Sequence, residues 1–222
     1  MNKTGCAILG LLWSAAAAGA SFPCEKAQSR IEKAVCADAE VSDLDEYLGR
    51  YYFAARDALR DSAPCLADDQ RRWLRSVRNA CQDAGCLRKA YLERLGELHA
   101  LQPGASSLRN VELPAVPSLR WILPPAGDQV AAPPRPDARP LVARGRVVNE
   151  VANGDGFVLR TAEGATHILM LSMLLEGSGA DVLEAIAKEP PATYLARGHA
   201  ATDSRGNVHF EPSRCVFLHR LP

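Results

Sequence analysis

The chain has no excess of charge of either sign: 26 Lys and Arg are matched by 26 Asp and Glu among 222 residues. That balance argues against a protein built mainly to grip nucleic acid or an anionic membrane, since both select a basic excess. Its N-terminal apolar run is shorter than the ~20 residues of a comfortable membrane span. Also missing are the Gly-x-Ser-x-Gly elbow, the His-Glu-x-x-His helix and the phosphate loop, which mark nucleophilic, zinc-hydrolytic and nucleotide chemistry. The expectation is a protein that is not an enzyme and carries no cofactor or metal. Cysteine, by contrast, is plentiful: seven residues, many for a cytosolic chain of this length. Apolar residues are 47 % and charged residues 23 %, a globular composition.

Met1-Asn2-Lys3 opens with positive charge, an uncharged run follows from Cys6 to Ala18, and Ala18-Gly19-Ala20 closes it. This is the pattern of a secretory signal peptide over residues 1–20, with cleavage expected after Ala20. Ser21-Phe22-Pro23 lacks the small residues that precede a lipoprotein cysteine. A periplasmic or secreted protein is expected, with no stable membrane insertion once the leader is gone. Cys6 leaves with the leader. Cys24, Cys36, Cys65, Cys81, Cys86 and Cys215 remain, an even set that favours disulfides in an oxidising compartment.

Residues 103–140 hold nine of the 15 prolines. They read as an extended linker between two domains, residues 21–102 and 141–222, because proline removes amide donors and blocks helix. The apolar group Leu119, Trp121, Ile122 and Leu123 does not suit a solvated spacer and is expected to dock on a domain or a partner. In the first domain, Ser29-Arg-Ile-Glu32 is a capping box that opens a short helix to about Cys36. Ser42 is expected to open a second helix, whose stripe Leu44, Leu48, Tyr51, Ala55 and Leu59 has helical period. A third helix carries Leu66, Gln70, Trp73, Val77 and Ala80; a fourth carries Leu87, Tyr91, Leu95 and Leu98. The expected fold is a small all-α bundle stapled by disulfides.

The second domain reads as β-rich. Strand patterns cover Leu141–Val148, Phe157–Arg160, His167–Leu171, Thr193–His199, Gly206–Glu211 and Cys215–His219, with one helix at Ala180–Lys188. Asn153-Gly-Asp155-Gly156 is a hairpin turn. As a calcium loop it fails, because Val151 and Ala162 fall at the first and twelfth positions. The element order suggests a small OB-like β-barrel. Its four aromatic residues, Phe157, Tyr194, Phe210 and Phe217, and its lack of basic excess argue against nucleic acid. His199, His209 and His219 recur every ten residues without a carboxylate or cysteine at ligand spacing, which is weak as a metal signal. Arg71, Arg72, Arg75 and Arg78 read as a solvated helix face.

Cys24, Glu32, Cys36, Leu44-Asp45, Tyr52, Gln70, Trp73, Arg78, Cys81, Cys86, Tyr91 and Leu98 together resemble the lysozyme inhibitor LprI N-terminal domain family. The resemblance covers residues 24–98. It implies a disulfide-stapled helical scaffold and an exported binding protein that inhibits lysozyme-like muramidases. The alternative is a structural, adaptor or immunity module of a periplasmic assembly. Asp38 and Glu40, in the connection between the first two helices, are the candidate acids for the rim of a basic muramidase. Within that scaffold the expected bridges are Cys24–Cys36 and Cys81–Cys86, with Cys36–Cys81 as the rival. Cys65 and Cys215 are left to pair between domains.

Overall fold

The computed structural model describes residues 20–101, 111–125, 139–149, 156–170 and 178–222. Residues 1–19 of the expected leader and the turn residues Asn153 and Asp155 lie outside them. The first part is helical: α1 (Arg30–Ala37), α2 (Ala39–Ala58), α3 (Ala63–Ser76) and α4 (Ala84–Leu98). Ser29 accepts from the Glu32 amide, and the Glu32 carboxylate reaches back to the Ser29 amide. This reciprocal cap satisfies amides that α1 itself cannot, a contribution of about 1 kcal/mol.

The second helix begins three residues before the expected Ser42. Asp38 is its cap, accepting from the Val41 amide at 3.0 Å, and Ser42 is buried inside the first turns. Pro64 sits in the opening turn of α3, where its missing amide costs nothing. The third helix stops at Ser76, and Arg78–Ala80 forms a 3₁₀ turn, so Val77 and Ala80 lie past its end. Val35, Leu44, Leu48, Tyr51, Leu66, Trp73, Leu87, Tyr91 and Leu95 close into one apolar core.

Among the described residues, seven strands and one helix follow: β1 (Ser118–Leu123), β2 (Pro140–Asn149), β3 (Phe157–Thr161), β4 (Thr166–Met170), α5 (Ser178–Lys188), β5 (Tyr194–Thr202), β6 (Val208–Phe210) and β7 (Val216–Arg220). The antiparallel sheet runs β1-β7-β5-β2-β3-β4, and β6 also pairs with β5. β1 lies inside the segment expected to be a linker. Leu119 and Ile122 pack there against the helical core together with Phe217 of β7, while Leu123 enters the core beneath the sheet with Leu159, Leu183, Tyr194 and Leu218. That apolar group therefore docks on the chain's own two cores, as part of a strand.

Closure into a barrel is not shown. Backbone ladders join β4 to β3, β3 to β2, β2 to β5 and β5 to β6. Among the described residues none joins β4 to β6. The two edges meet through imidazoles instead: His167 Nδ1 lies 2.8 Å from the Val208 carbonyl, and the Ile168 amide donates to His209 Nδ1 at 3.2 Å.

Three disulfides are formed, Cys24–Cys36, Cys65–Cys215 and Cys81–Cys86; Cys36 and Cys81 are not bonded to each other. Cys65–Cys215 ties the first turn of α3 to the residue before β7.

Candidate functional site

Where helices meet sheet, an ionic cluster lies beside that bridge. Arg94 of α4, buried to 2 %, donates from Nε to Gln70 Oε1 at 3.0 Å and from Nη1 to Glu97 at 2.6 Å. Its Nη1 also lies 2.9 Å from Asp69 of α3. From β5, Arg197 reaches Glu97 at 3.0 Å and donates to Nε2 of His219 on β7. Two guanidinium groups thus meet two carboxylates, so the seam buries charge in compensated form. The cluster joins α3 and α4 to β5 and β7 across the seam.

The outer face of β2 presents Val142, Arg144, Arg146 and Val148 in strict alternation, while Leu141, Ala143 and Val147 point to the inner core. Arg146 stands directly opposite Arg160 of β3. Arg144, Arg146 and Arg160 border an open groove of about 880 Å³ in which, among the described residues, Glu163 is the one carboxylate. Arg144, Arg146 and Arg160 are all exposed on this face. Gly145, between Arg144 and Arg146, is obligatory: a Cβ there would stand 2.2 Å from the Arg160 carbonyl oxygen.

A second hollow, about 480 Å³, lies at the helix–sheet seam and shares Val142 with the first. Arg72 and Arg214 line it, with Asp68, which is paired to Arg71. His199 lines it too. Burial, then the charges of Arg214 and Arg72, hold its imidazole below the ordinary histidine value. Val142, 59 % exposed, thus sits in the middle of an arginine-bordered strip running from the seam across the sheet.

Asp38 and Glu40 are brought together, on Arg88 of α4: Arg88 Nε lies 2.8 Å from Glu40 and Nη2 3.7 Å from Asp38. Asp38 also serves as the α2 cap. The three histidines do not converge. His219 is in the ionic cluster, His209 joins β6 to β4 and approaches Asp203, and His199 lines the seam hollow. Among the described residues no group of three His, Cys, Asp or Glu could hold a metal.

Arg144, Arg146 and Arg160 escape sequence reasoning. The Val142-x-Arg144-x-Arg146-x-Val148 alternation was the available signal for a charged face, but only the cross-strand register sets Arg160 against Arg146. Comparison with protein-family models, curated proteins and solved structures finds no match.

Proposed function

We propose that this chain is an exported binding protein of the bacterial envelope that acts by contact and not by chemistry. Its contact surface is the arginine face of β2 and β3, and its partner bears carboxylates. The observation that carries this reading is the in-register opposition of Arg146 and Arg160 beside Arg144 on an exposed, concave face. Guanidinium forks match carboxylates in a bidentate way and hold their charge at any physiological pH. Among the described residues no aromatic ring of Phe, Tyr or Trp borders the groove, which disfavours a single-stranded nucleic acid that would need stacking.

Three disulfides suit folding in an oxidising compartment, and the leader pattern of residues 1–20 supplies the route. Among the described residues no helix is long and apolar enough to cross a membrane. The ring of ladders β4-β3-β2-β5-β6, with its two ends joined through His167 and His209, supports an OB-like barrel as the finer description of the sheet.

The resemblance of residues 24–98 to the LprI domain points to a muramidase as the partner. Such an enzyme carries carboxylates in its cleft, and an arginine on a rigid strand is a suitable donor to insert among them. Asp38 and Glu40, held by Arg88, are secondary rim candidates. The test is muramidase activity titrated with the oxidised, processed protein against c-type, g-type and i-type enzymes. Inhibition of one class at micromolar protein is expected. No inhibition of any class leaves an adaptor or immunity module that uses the same face for a different acidic partner.

A further inference from the structure

Ser21 directly follows the Ala-x-Ala ending, and the fold sets it on a buried carboxylate. Its backbone nitrogen lies 2.8 Å from Oδ2 of Asp45, and its hydroxyl donates to the same oxygen at 2.5 Å. Tyr91 donates to the other oxygen at 2.6 Å. Asp45, in the second turn of α2, is 4 % exposed, whereas Ser21 lies at the surface as its cover. Among the described residues no Lys, Arg or His forms an ion pair with Asp45; Arg78 acts on Tyr91 instead.

Two further features hold Ser21 in place. Phe22 packs on the helical core, and the Cys24–Cys36 bridge anchors the chain three residues on. Gly49, one turn along α2 from Asp45, leaves the space: a Cβ there would stand 3.0 Å from Ser21 Cβ. Glycine weakens a helix interior, so its presence at this spot has a steric reason.

A carboxylate this deep is costly unless it is matched by charge, and a peptide N–H is only a neutral donor. We propose that Asp45 is the receptor site for the α-ammonium group of the processed chain, formed when the Ala20–Ser21 bond is cut. A leader peptidase adds one water across that bond. The hydroxyl goes to the Ala20 carbonyl carbon and a proton to the Ser21 nitrogen, which takes a second proton from solvent. The nitrogen need not move; it gains the positive charge that Asp45 lacks, and a neutral hydrogen bond becomes charge-assisted. The leader-bearing and mature chains then differ in stability at this one locus. The proposal rests on the export reading above.

The test uses the full protein, exported with its own leader and kept oxidised. Intact mass fixes the first residue, and NMR of a ¹⁵N-serine-labelled sample titrates the α-amine. Ser21 is expected as the first residue, with an amine titrating above about 9 instead of the usual range of about 7.7–8.0. Asp45→Asn returns it to that range. So does Gly49→Leu, which displaces Ser21 while leaving Asp45 intact and covers the case in which Asp45→Asn does not fold. A chain beginning at Ser21 whose amine titrates near 8 overturns the proposal and leaves export standing. A different first residue overturns the proposal together with the expected cut.

Discussion

Arg197 donates from Nε to Nε2 of His219 at 2.9 Å, a bond that needs the lone pair on Nε2 and so puts the ring proton on Nδ1. The imidazole is therefore neutral in the folded protein, and its 3.4 Å approach to Glu97 is no ion pair at neutral pH. Burial, then the Arg197 charge, lowers its pKa to about 4, against the opposing pull of Glu97 and Asp69. The unfolded value is about 6.5. Because the folded value is the lower one, the unfolded chain binds the extra proton between the two. The contribution is full above about pH 6.5 and is lost as pH falls towards 4, on the order of 3 kcal/mol.

Replacing His219 by Gln keeps an acceptor for Arg197 and removes the titration. Urea unfolding at pH 7.5 and pH 4.5 should show the wild type losing more stability than His219→Gln over that interval, by roughly 2–3 kcal/mol. Equal losses in the two proteins would place the acid sensitivity elsewhere.

The three disulfides close loops of very different length, with sequence separations of 150, 12 and 5 for Cys65–Cys215, Cys24–Cys36 and Cys81–Cys86. The chain-entropy relation gives roughly 5, 3 and 2 kcal/mol in that order. Paired Cys→Ala variants, unfolded in urea, should reproduce that ranking. The Cys65/Cys215 variant alone should also loosen the seam, seen as faster amide exchange in β7. An unchanged exchange rate there would mean that the ionic cluster and the β1 packing hold the seam unaided.

Gly145→Ala places a methyl group on the Arg160 carbonyl, so β2 and β3 must separate locally. Thermal unfolding should show a loss of at least about 2 kcal/mol, at the high end for overpacking. A Gly145→Ala protein as stable as the wild type would refute the close approach of the two strands.

Much of the fold is legible because its determinants are local. The Ser29–Glu32 box, the α2 stripe and the alternation of β2 each lie within a few residues of the element they specify. The misreadings have equally concrete causes. Ser42 and Asp38 are both capping residue types, and only the side-chain bond to the Val41 amide decides for Asp38. β1 sits between Pro117 and Pro124-Pro125, so proline content hid a strand whose partner, β7, lies far along the chain, with Ser118 opposite Arg220 and Leu123 opposite Val216. Asp69, Arg94, Glu97, Arg197 and His219 come from four elements across both halves. No spacing rule joins them. The arginine face is set in the same way, since only the β2–β3 register places Arg160 opposite Arg146.

The central claim is that contact through those arginines is what the protein does. Inhibition of a responsive muramidase, titrated with wild type and with Arg144→Glu/Arg146→Glu, tests it most directly. All three side chains are exposed on a formed sheet, so the variant should keep the wild-type unfolding midpoint to within about 0.5 kcal/mol. The account predicts at least a tenfold weaker inhibition, with the remaining difference narrowing as salt is raised. A folded double variant that inhibits as strongly as the wild type would contradict it.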